Sequence, residues 1–529
     1  MTGKSDSEAI FLRPWGGVAG AAMVVAVGFL GSRILGLVRT MAIADAFGTS
    51  PDLDAYWVAF RLPDLIFQVL AGAAMGSAFI PTFARYVAQK NEAEAWRLAS
   101  SLLNLVAILT AALAAAAAIL APWLVPLMAP GLEEGLQDKA VELTRIMLVS
   151  PFLFAVSGML TGILNARQHF FLAAVAPMLY NLSIIFGAVF LSEPWGVRGL
   201  AAGVVLGSGL HLLVQVPGLF GVGMRYRLEA NWRHRGVQEV ARLMLPRMAG
   251  LAAAQANFVV AIFFASRLEE GSISALNYAW MLTMLPLALF GVAIATAVFP
   301  TMAQQAATDS LDRLQSTLFS SFRYILFLII PASVGLILLR EPLVSLLLER
   351  GEFDPRSASI TSSALLFYSI GLFAHSGVEM LSRGFYALRD TRTPVAMALI
   401  SMVLNLLFSL ALVGPMEHDG LALAMSLATI VEASLLFIVI RQRLAGPEAG
   451  LAGFLVRTIA ATALMAAVVV AFIAVEEAID PLGSRTVWEA LVQVMGGGAL
   501  GSGAFFLTAF VLRCEEVRAF WHRLGLVRE

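Results

Sequence analysis

Apolar runs of about twenty residues follow one another almost without pause, about fourteen of them between residues 17 and 512. A helix needs about 20 residues to cross roughly 30 Å of hydrocarbon. In lipid the backbone must satisfy its own hydrogen bonds, which only helices and closed barrels do. These runs are continuous where barrel strands are short and alternate in polarity. The expected fold is therefore an all-α polytopic membrane protein. Composition agrees, with 59% hydrophobic and 13% charged residues, against about 25% charged in an ordinary soluble domain.

The same counts exclude several function classes. A net charge of −1 gives no basic footprint for nucleic acid. One cysteine, Cys514, rules out an intramolecular disulfide and a cysteine metal cluster. The six histidines show no His-Glu-x-x-His spacing, and no nucleophile–base pairing stands out. No metal, no cofactor and no enzymatic activity are expected.

Loop charges orient the spans. Lys4 and Arg13 precede the first apolar run, which continues past any plausible cleavage point and is expected to remain as the first helix. With that end inside, the inner loops collect most of the 35 lysines and arginines, including Arg85, Lys90, Arg97, Arg225, Arg227, Arg233, Arg235 and Arg513. The outer loops are acidic, with Asp52, Glu133, Glu134, Glu269, Glu270, Glu476, Glu477 and Asp480. Both termini are expected in the cytoplasm. Pro130-Gly131 and Pro481-Leu482-Gly483 mark two of the span boundaries.

An internal repeat carries Leu70, Gly72, Ala74, Ala78, Pro81, Thr82, Ala84 and Ala88 onto Leu289, Gly291, Ala293, Ala297, Pro300, Thr301, Ala303 and Ala307. Moving six spans along preserves orientation, so the repeat is parallel. Two six-helix lobes result, a plan shared by alternating-access carriers. The expected division is an N-terminal lobe over 1–224, a basic linker over 225–242, a C-terminal lobe over 243–442, and two extra spans with a tail over 443–529. An interfacial helix against anionic lipid is one expectation for the linker; a plain positive-inside anchor is the favoured one.

Three arginines interrupt the first two spans: Arg33, Arg39 and Arg61. An intramembrane arginine costs roughly 2.5–3.5 kcal/mol on insertion scales, so each needs a compensating partner. Arg33 and Arg39 are about 9 Å apart in height and about 120° apart in direction on a straight helix. Asp64 lies one turn beyond Arg61 and can reach it, and Asp54 lies nearer the outer mouth. Two alternatives stand. Arg61 and Asp64 form a self-contained pair with Arg33 capping carbonyls, or the surplus cations hold an anionic substrate. Guanidinium forks suit phosphate, so a diphosphate would balance the surplus. Gln255 and Asn257, on the span that repeats the first, are secondary site candidates. Asn165, Asn181, Asn277 and Asn405 suit helix–helix hydrogen bonds. Glu379 is expected to pair with Arg383, and Glu432 is the remaining deep carboxylate.

The segment Gly31-Ser-Arg-Ile-Leu-Gly-Leu-Val-Arg39, Asp54-Ala, Arg61-Leu-Pro-Asp64, Gly72-Ala and Ala78-Phe-Ile-Pro81 resemble the signature of the MurJ (MviN) family. Pro286 with Gly291-Val-Ala, Gly384-Phe-Tyr-Ala387 and Asp390-Thr-Arg-Thr-Pro394 resemble it too. The resemblance covers essentially the whole chain. It implies a fourteen-helix member of the MOP flippase superfamily that moves lipid II, the undecaprenyl-diphosphate-linked cell-wall precursor, between leaflets. It further implies that Arg33 and Arg39 match the family's first-helix arginines and Asp54 its second-helix aspartate. Spans 13 and 14 would line a groove for the lipid tail. Other polyprenyl-diphosphate glycans, and a non-transporting membrane scaffold of cell-wall synthesis, are the rival functions. Expected partners are the lipid-linked substrate, membrane lipids and other cell-wall synthesis proteins, with the chain itself a monomer.

The chain departs from the family at three places. Thr40 stands where many members have an acid. Ala279-Trp-Met-Leu-Thr-Met284 replaces a stretch that carries an arginine, and Ala261 replaces an acid of the seventh span.

Overall fold

A computed structural model describes residues 17–72, 79–444, 450–479 and 487–517. The tail with Lys4 and Arg13, the repeat positions Ala74 and Ala78, the Pro481–Gly483 turn and everything beyond 517 lie outside the described residues. The described chain is helical and contains no strand. Among the described residues, eleven helices are long and apolar enough to cross a membrane. That count is lower than the expected one for identifiable reasons. A single run, α17 (Arg392–Leu444), holds two expected spans, bent where Glu417 has φ 51°. Residues 73–78 of the second span and several side chains between 246 and 254 of the seventh lie outside the described residues, so neither is counted as a whole span.

The chain forms two compact units, Met1–Arg267 and Leu268–Glu529. The first contains α1 (Gly17–Phe47), α2 (Pro51–Ile66), α3 (Ile80–Ala88), α4 (Glu92–Met128), α5 (Glu134–Met147), α6 (Val149–Ala166), α7 (Phe170–Phe186), α8 (Ser192–Trp195), α9 (Val197–Leu213), α10 (Val216–Gly221) and α11 (Arg235–Ala265). A π segment, Phe67–Gly72, continues α2. Without a hydrophobic drive between helices in lipid, close approach depends on small residues. Gly203 of α9 is an instance: a Cβ there would lie 2.9 Å from the Ser183 carbonyl oxygen of α7. Asn181 of α7 donates to the Ser32 carbonyl of α1 at 3.2 Å, the helix–helix role expected of it.

Prolines leave carbonyls that neighbours must serve. Pro122 lacks the N–H that would bond the Ala118 carbonyl. Arg145 of α5 donates its Nε to that oxygen at 3.1 Å.

The 225–242 linker is not one helix: 224–234 is irregular and α11 begins at Arg235. Backbone groups of the linker are bound elsewhere. The Asn104 side chain donates to the Arg227 and Glu229 carbonyls at 3.1 and 2.9 Å, and the Ser100 hydroxyl accepts from the Arg227 N–H. His234 then caps α11, its Nδ1 accepting from the Gly236 N–H at 3.1 Å and its Nε2 lying 3.0 Å from Glu94. Glu239 on the first turns of α11 pairs with Arg85, and Glu229 with Arg97. These pairs tie the expected seventh span to the first compact unit.

The second unit contains α12 (Ser272–Pro286), α13 (Ala293–Ala307), α14 (Leu311–Leu338), α15 (Arg340–Leu348), α16 (Pro355–Ala387), α17, α18 (Leu451–Ile479) and α19 (Val487–Val511), with a π segment at Leu287–Val292. Its core joins Phe322, Ile325, Phe327, Phe385, Ile440 and Phe505. Asp390 caps the start of α17, accepting from the Arg392 and Thr393 N–H groups at 2.9 and 3.1 Å, and pairs with Arg443. The α18–α19 hairpin belongs to this unit, and Arg323 of α14 reaches Glu516 at 2.7 Å. Among the α19 glycines, Gly496 and Gly501 pack on Phe472 and Val469 of α18, whereas Gly498 and Gly503 face open space.

Backbone detail repeats between the units as the Pro-Thr repeat does. The π segments Phe67–Gly72 and Leu287–Val292 occupy matching positions, whereas a third, Gly187–Leu191, has no counterpart among the described residues. Left-handed residues recur in order as Lys90, Gln168 and Gly196 in the first unit and Asp309, Arg389 and Glu417 in the second.

Candidate functional site

Helix α1 presents its two arginines differently. Arg33 is exposed, its guanidinium carbon 5.0 Å from the ring of Phe29 one turn earlier. Arg39 is half-buried and makes no ion pair among the described residues. It lines a cavity of about 270 Å³ inside the first unit. The cavity lies between α1, α2, α6, α7 and α9, with Tyr56, Trp57 and Asp64 from α2, Phe154 from α6, Tyr180 from α7 and His211 from α9.

Arg61 is buried at 9% exposure and forms an ion pair with Asp64 at 3.5 Å. The face of Phe258 on α11 covers its guanidinium at 4.8 Å. Gln68 adds a 3.5 Å hydrogen bond to the other Asp64 oxygen. Of the two arginines near Asp64, one is thus committed to it and Arg39 supplies the surplus charge. A buried pair stabilises weakly as a unit but is costly to break on one side. The Tyr180 hydroxyl lies within electrostatic reach of both Arg39 and Asp64.

The remaining expected residues lie elsewhere. Asp54 is buried on the first turn of α2, where a carboxylate suits the positive end of the helix dipole. It is about 15 Å along the helix from Asp64. Gln255 and Asn257 are half-buried on α11 and do not line the cavity. The Gln255 Oε1 is buried with no hydrogen-bond partner among the described residues.

Sequence reasoning missed the aromatic walls. Tyr56 and Trp57 sit one helical turn ahead of Phe60 and Arg61, a local signal that was available. Tyr56 stacks with Phe60 at 6.1 Å and meets Trp57 edge-on at 5.2 Å. On the opposite wall, Phe154 packs on Tyr180 at 5.0 Å and on His211 at 5.3 Å. No spacing in the sequence links those three spans. Behind His211 runs a hydrogen-bonded chain. Ser157 Oγ lies 2.6 Å from His211 Nδ1, Gln215 donates to Ser157 at 2.8 Å, and Thr161 donates to Gln215 at 2.8 Å. The Ser157 hydroxyl also lies 3.1 Å from the His211 carbonyl oxygen, to which it can donate. The chain holds the ring in place and leaves Nε2 without a partner among the described residues.

Chemically, the site combines one uncompensated guanidinium, one carboxylate already paired, and rings bearing N–H and O–H groups. Such a cavity favours an anionic or polyhydroxylated guest over a cation. Among the described residues no three His, Cys, Asp or Glu side chains group to hold a metal.

Comparison with known proteins gives a consistent result. The family model for lipid II flippase MurJ matches residues 43–479, beginning just beyond Arg39. A lipid II flippase MurJ of Burkholderia cenocepacia is 32% identical over 455 residues, 84% of this chain and 88% of that protein. A probable lipid II flippase MurJ of Vibrio cholerae is 33% identical over 426 residues, 78% of this chain and 81% of that protein. Among solved structures, a lipid II flippase MurJ in an inward closed conformation aligns with a TM-score of 0.78 at 25% identity, over 95% of this chain and 99% of that one. An inward-facing multidrug resistance MATE family transporter of the MOP superfamily shares the fold, with a TM-score of 0.65 at 19% identity over 78% of this chain and 94% of that one. With the family model spanning most of its length and these relatives aligned over most of theirs, this multi-pass membrane protein belongs to the MurJ lipid II flippase family.

Proposed function

We propose that the chain carries lipid II from the inner to the outer leaflet of a bacterial plasma membrane by alternating access. It does so as a monomer without enzymatic turnover, with both termini in the cytoplasm. The observation that carries this proposal is Arg39, without an ion pair among the described residues, in a cavity of a flippase-family member. A guanidinium there forms charge-assisted, bidentate hydrogen bonds to a phosphate. Arg33, nearer the start of α1 and exposed, meets the diphosphate first. Arg61 neutralises Asp64, so the carboxylate does not repel the incoming anion. The prenyl tail stays in lipid along α18 and α19, whose Val456, Ile459, Met495 and Leu507 are exposed.

Transport needs an affinity that differs between the two access states, because a ligand held equally in both shifts nothing. A membrane potential, negative inside, favours outward movement of an anion by about 2.3 kcal/mol per charge per 100 mV. The test is leaflet accessibility of lipid II in cells depleted of their own flippase and supplied with this chain. Wild type restores outward exposure and Arg39→Ala does not. Restoration by Arg39→Ala would remove the arginine mechanism, and an inserted, stable wild type that fails would remove the substrate assignment. A non-transporting scaffold would instead tolerate Arg33→Ala and Arg39→Ala while remaining functional in cells.

A further inference from the structure

The cavity around Arg39 carries more chemistry than a diphosphate requires. Phosphate oxygens need only donors, yet aromatic rings form two of its walls and the Asp64 carboxylate, an acceptor, lines it. Several polar atoms there have no protein partner among the described residues. Trp57 Nε1 is buried without one, and neither the Tyr56 nor the Tyr180 hydroxyl makes a hydrogen bond within the described residues. His211 Nε2 is the fourth, its ring held by Ser157 through Nδ1.

An empty buried donor costs free energy that a guest can recover. An apolar guest would leave all four polar atoms unsatisfied, and a cationic guest would meet Arg39. A sugar ring fits both halves of this lining. Its C–H faces lie against aromatic rings, while its hydroxyl and amide groups donate to a carboxylate and accept from N–H and O–H groups. Sites of this kind, apolar walls with a few placed polar groups, are the usual design for orienting a small ligand.

We propose that the cavity between α1, α2, α6, α7 and α9 is a saccharide subsite that takes the pyranose ring attached to the diphosphate, with Arg39 bridging ring and phosphate. The proposal rests on the flippase assignment and adds the part of the substrate that the first unit selects. The headgroup is then held by two chemistries: charge at the phosphate, and stacking with directional hydrogen bonds at the sugar.

The experiment uses the full chain in lipid nanodiscs and two probes: a short-chain prenyl diphosphate, and the same prenyl diphosphate bearing one N-acetylhexosamine. Wild type binds the sugar-bearing probe about tenfold or more tightly than the bare one, the effect of two or so recovered hydrogen bonds. The double variant Trp57→Phe/Tyr180→Phe keeps the rings and removes an N–H and an O–H. It loses that preference while binding the bare diphosphate within about twofold of wild type, which also reports that it is folded. Equal wild-type affinity for both probes overturns the subsite and leaves the flippase assignment standing. A double variant that retains the full preference overturns it as well, as does one that weakens both probes in parallel. Wild type that binds neither probe overturns the diphosphate assignment, and the subsite with it.

Discussion

The two units share a backbone plan and differ in where they put charge. Each has a π segment along the span that follows its first turn, and each ends corresponding helices in left-handed residues. In the first unit the span interiors hold Arg39, Arg61 and Asp64, and one guanidinium remains uncommitted. In the second unit, Arg383 is satisfied by Glu379 one turn away and by the Thr296 hydroxyl at 3.2 Å. Glu432 there is a deep carboxylate with Ser401 nearby. Trp280 there packs against Tyr368 and His375 at 5.3 and 5.1 Å. Duplicated architecture therefore does not mean duplicated chemistry: the repeat supplies the frame, and among the described span interiors the arginine without an ion pair lies in the first unit.

The largest expected effect separates the units at their arginines. Arg39→Ala should lower lipid II flipping roughly 30- to 100-fold, the loss of charge-assisted hydrogen bonds worth about 2–3 kcal/mol. Arg383→Ala should leave flipping within about threefold of wild type, the cost of disturbing a partly exposed pair. Both are read in the leaflet-accessibility assay. Equal loss from the two substitutions would dissolve the asymmetry.

Next in size is the buried pair of the first unit. Asp64→Ala strands Arg61 in the span, and removing one partner of a buried pair costs about 3–5 kcal/mol of stability. Thermal unfolding in detergent should show a lower midpoint, and the double replacement Arg61→Met/Asp64→Leu should recover most of it. No recovery would mean that Arg61 serves something other than Asp64.

Helix starts give a smaller contrast. Asp390 supplies a side-chain cap for α17, whereas α7 starts after His169 with no side-chain cap. Asp390→Ala should cost about 1–2 kcal/mol, a lost cap together with the Arg443 pair. His169→Ala should be nearly neutral, each being measured by the unfolding midpoint.

The smallest contrast is with pH. Hydrogen bonds from His234 and Arg97 hold the Glu94 carboxyl below its usual range, and bonds from Arg97 and Arg85 do so for Glu229 and Glu239. A depressed folded-state pKa contributes stability that is full above the unfolded value, about 4.3 for glutamate, and lost as pH falls through the folded value. The linker and the start of α11 should therefore loosen below about pH 4. Proteolysis at the linker by an acid-active protease, compared between pH 5 and pH 3, checks this; unchanged cutting would count against it.

Much of the fold was legible because hydrophobic length and loop charge are local properties. The Arg61–Asp64 pair was legible for the same reason, being one turn of one helix. The cavity was not, since Phe154, Tyr180 and His211 come from three later spans and only tertiary packing brings them to Arg39. Two arginines that looked alike in sequence, Arg33 and Arg39, point to different surroundings because six residues do not return a helix to the same face. The less favoured reading of the linker fails over 225–234 for another reason. The linker's alternation of basic and apolar residues suits an amphipathic helix, but Asn104, Ser100 and His234 claim the backbone groups such a helix would use.

The bond from Arg145 to the Ala118 carbonyl has a consequence for how this sequence can change. Pro122 created that carbonyl's need, so neither residue is free to drift alone. Replacing Arg145 while Pro122 remains leaves an unserved acceptor; once Pro122 has become alanine, the helix serves itself and Arg145 becomes dispensable. The order in which two such substitutions arrive decides whether the intermediate is tolerated. The lineage can lose the proline first and the arginine second, but not the reverse without a penalty.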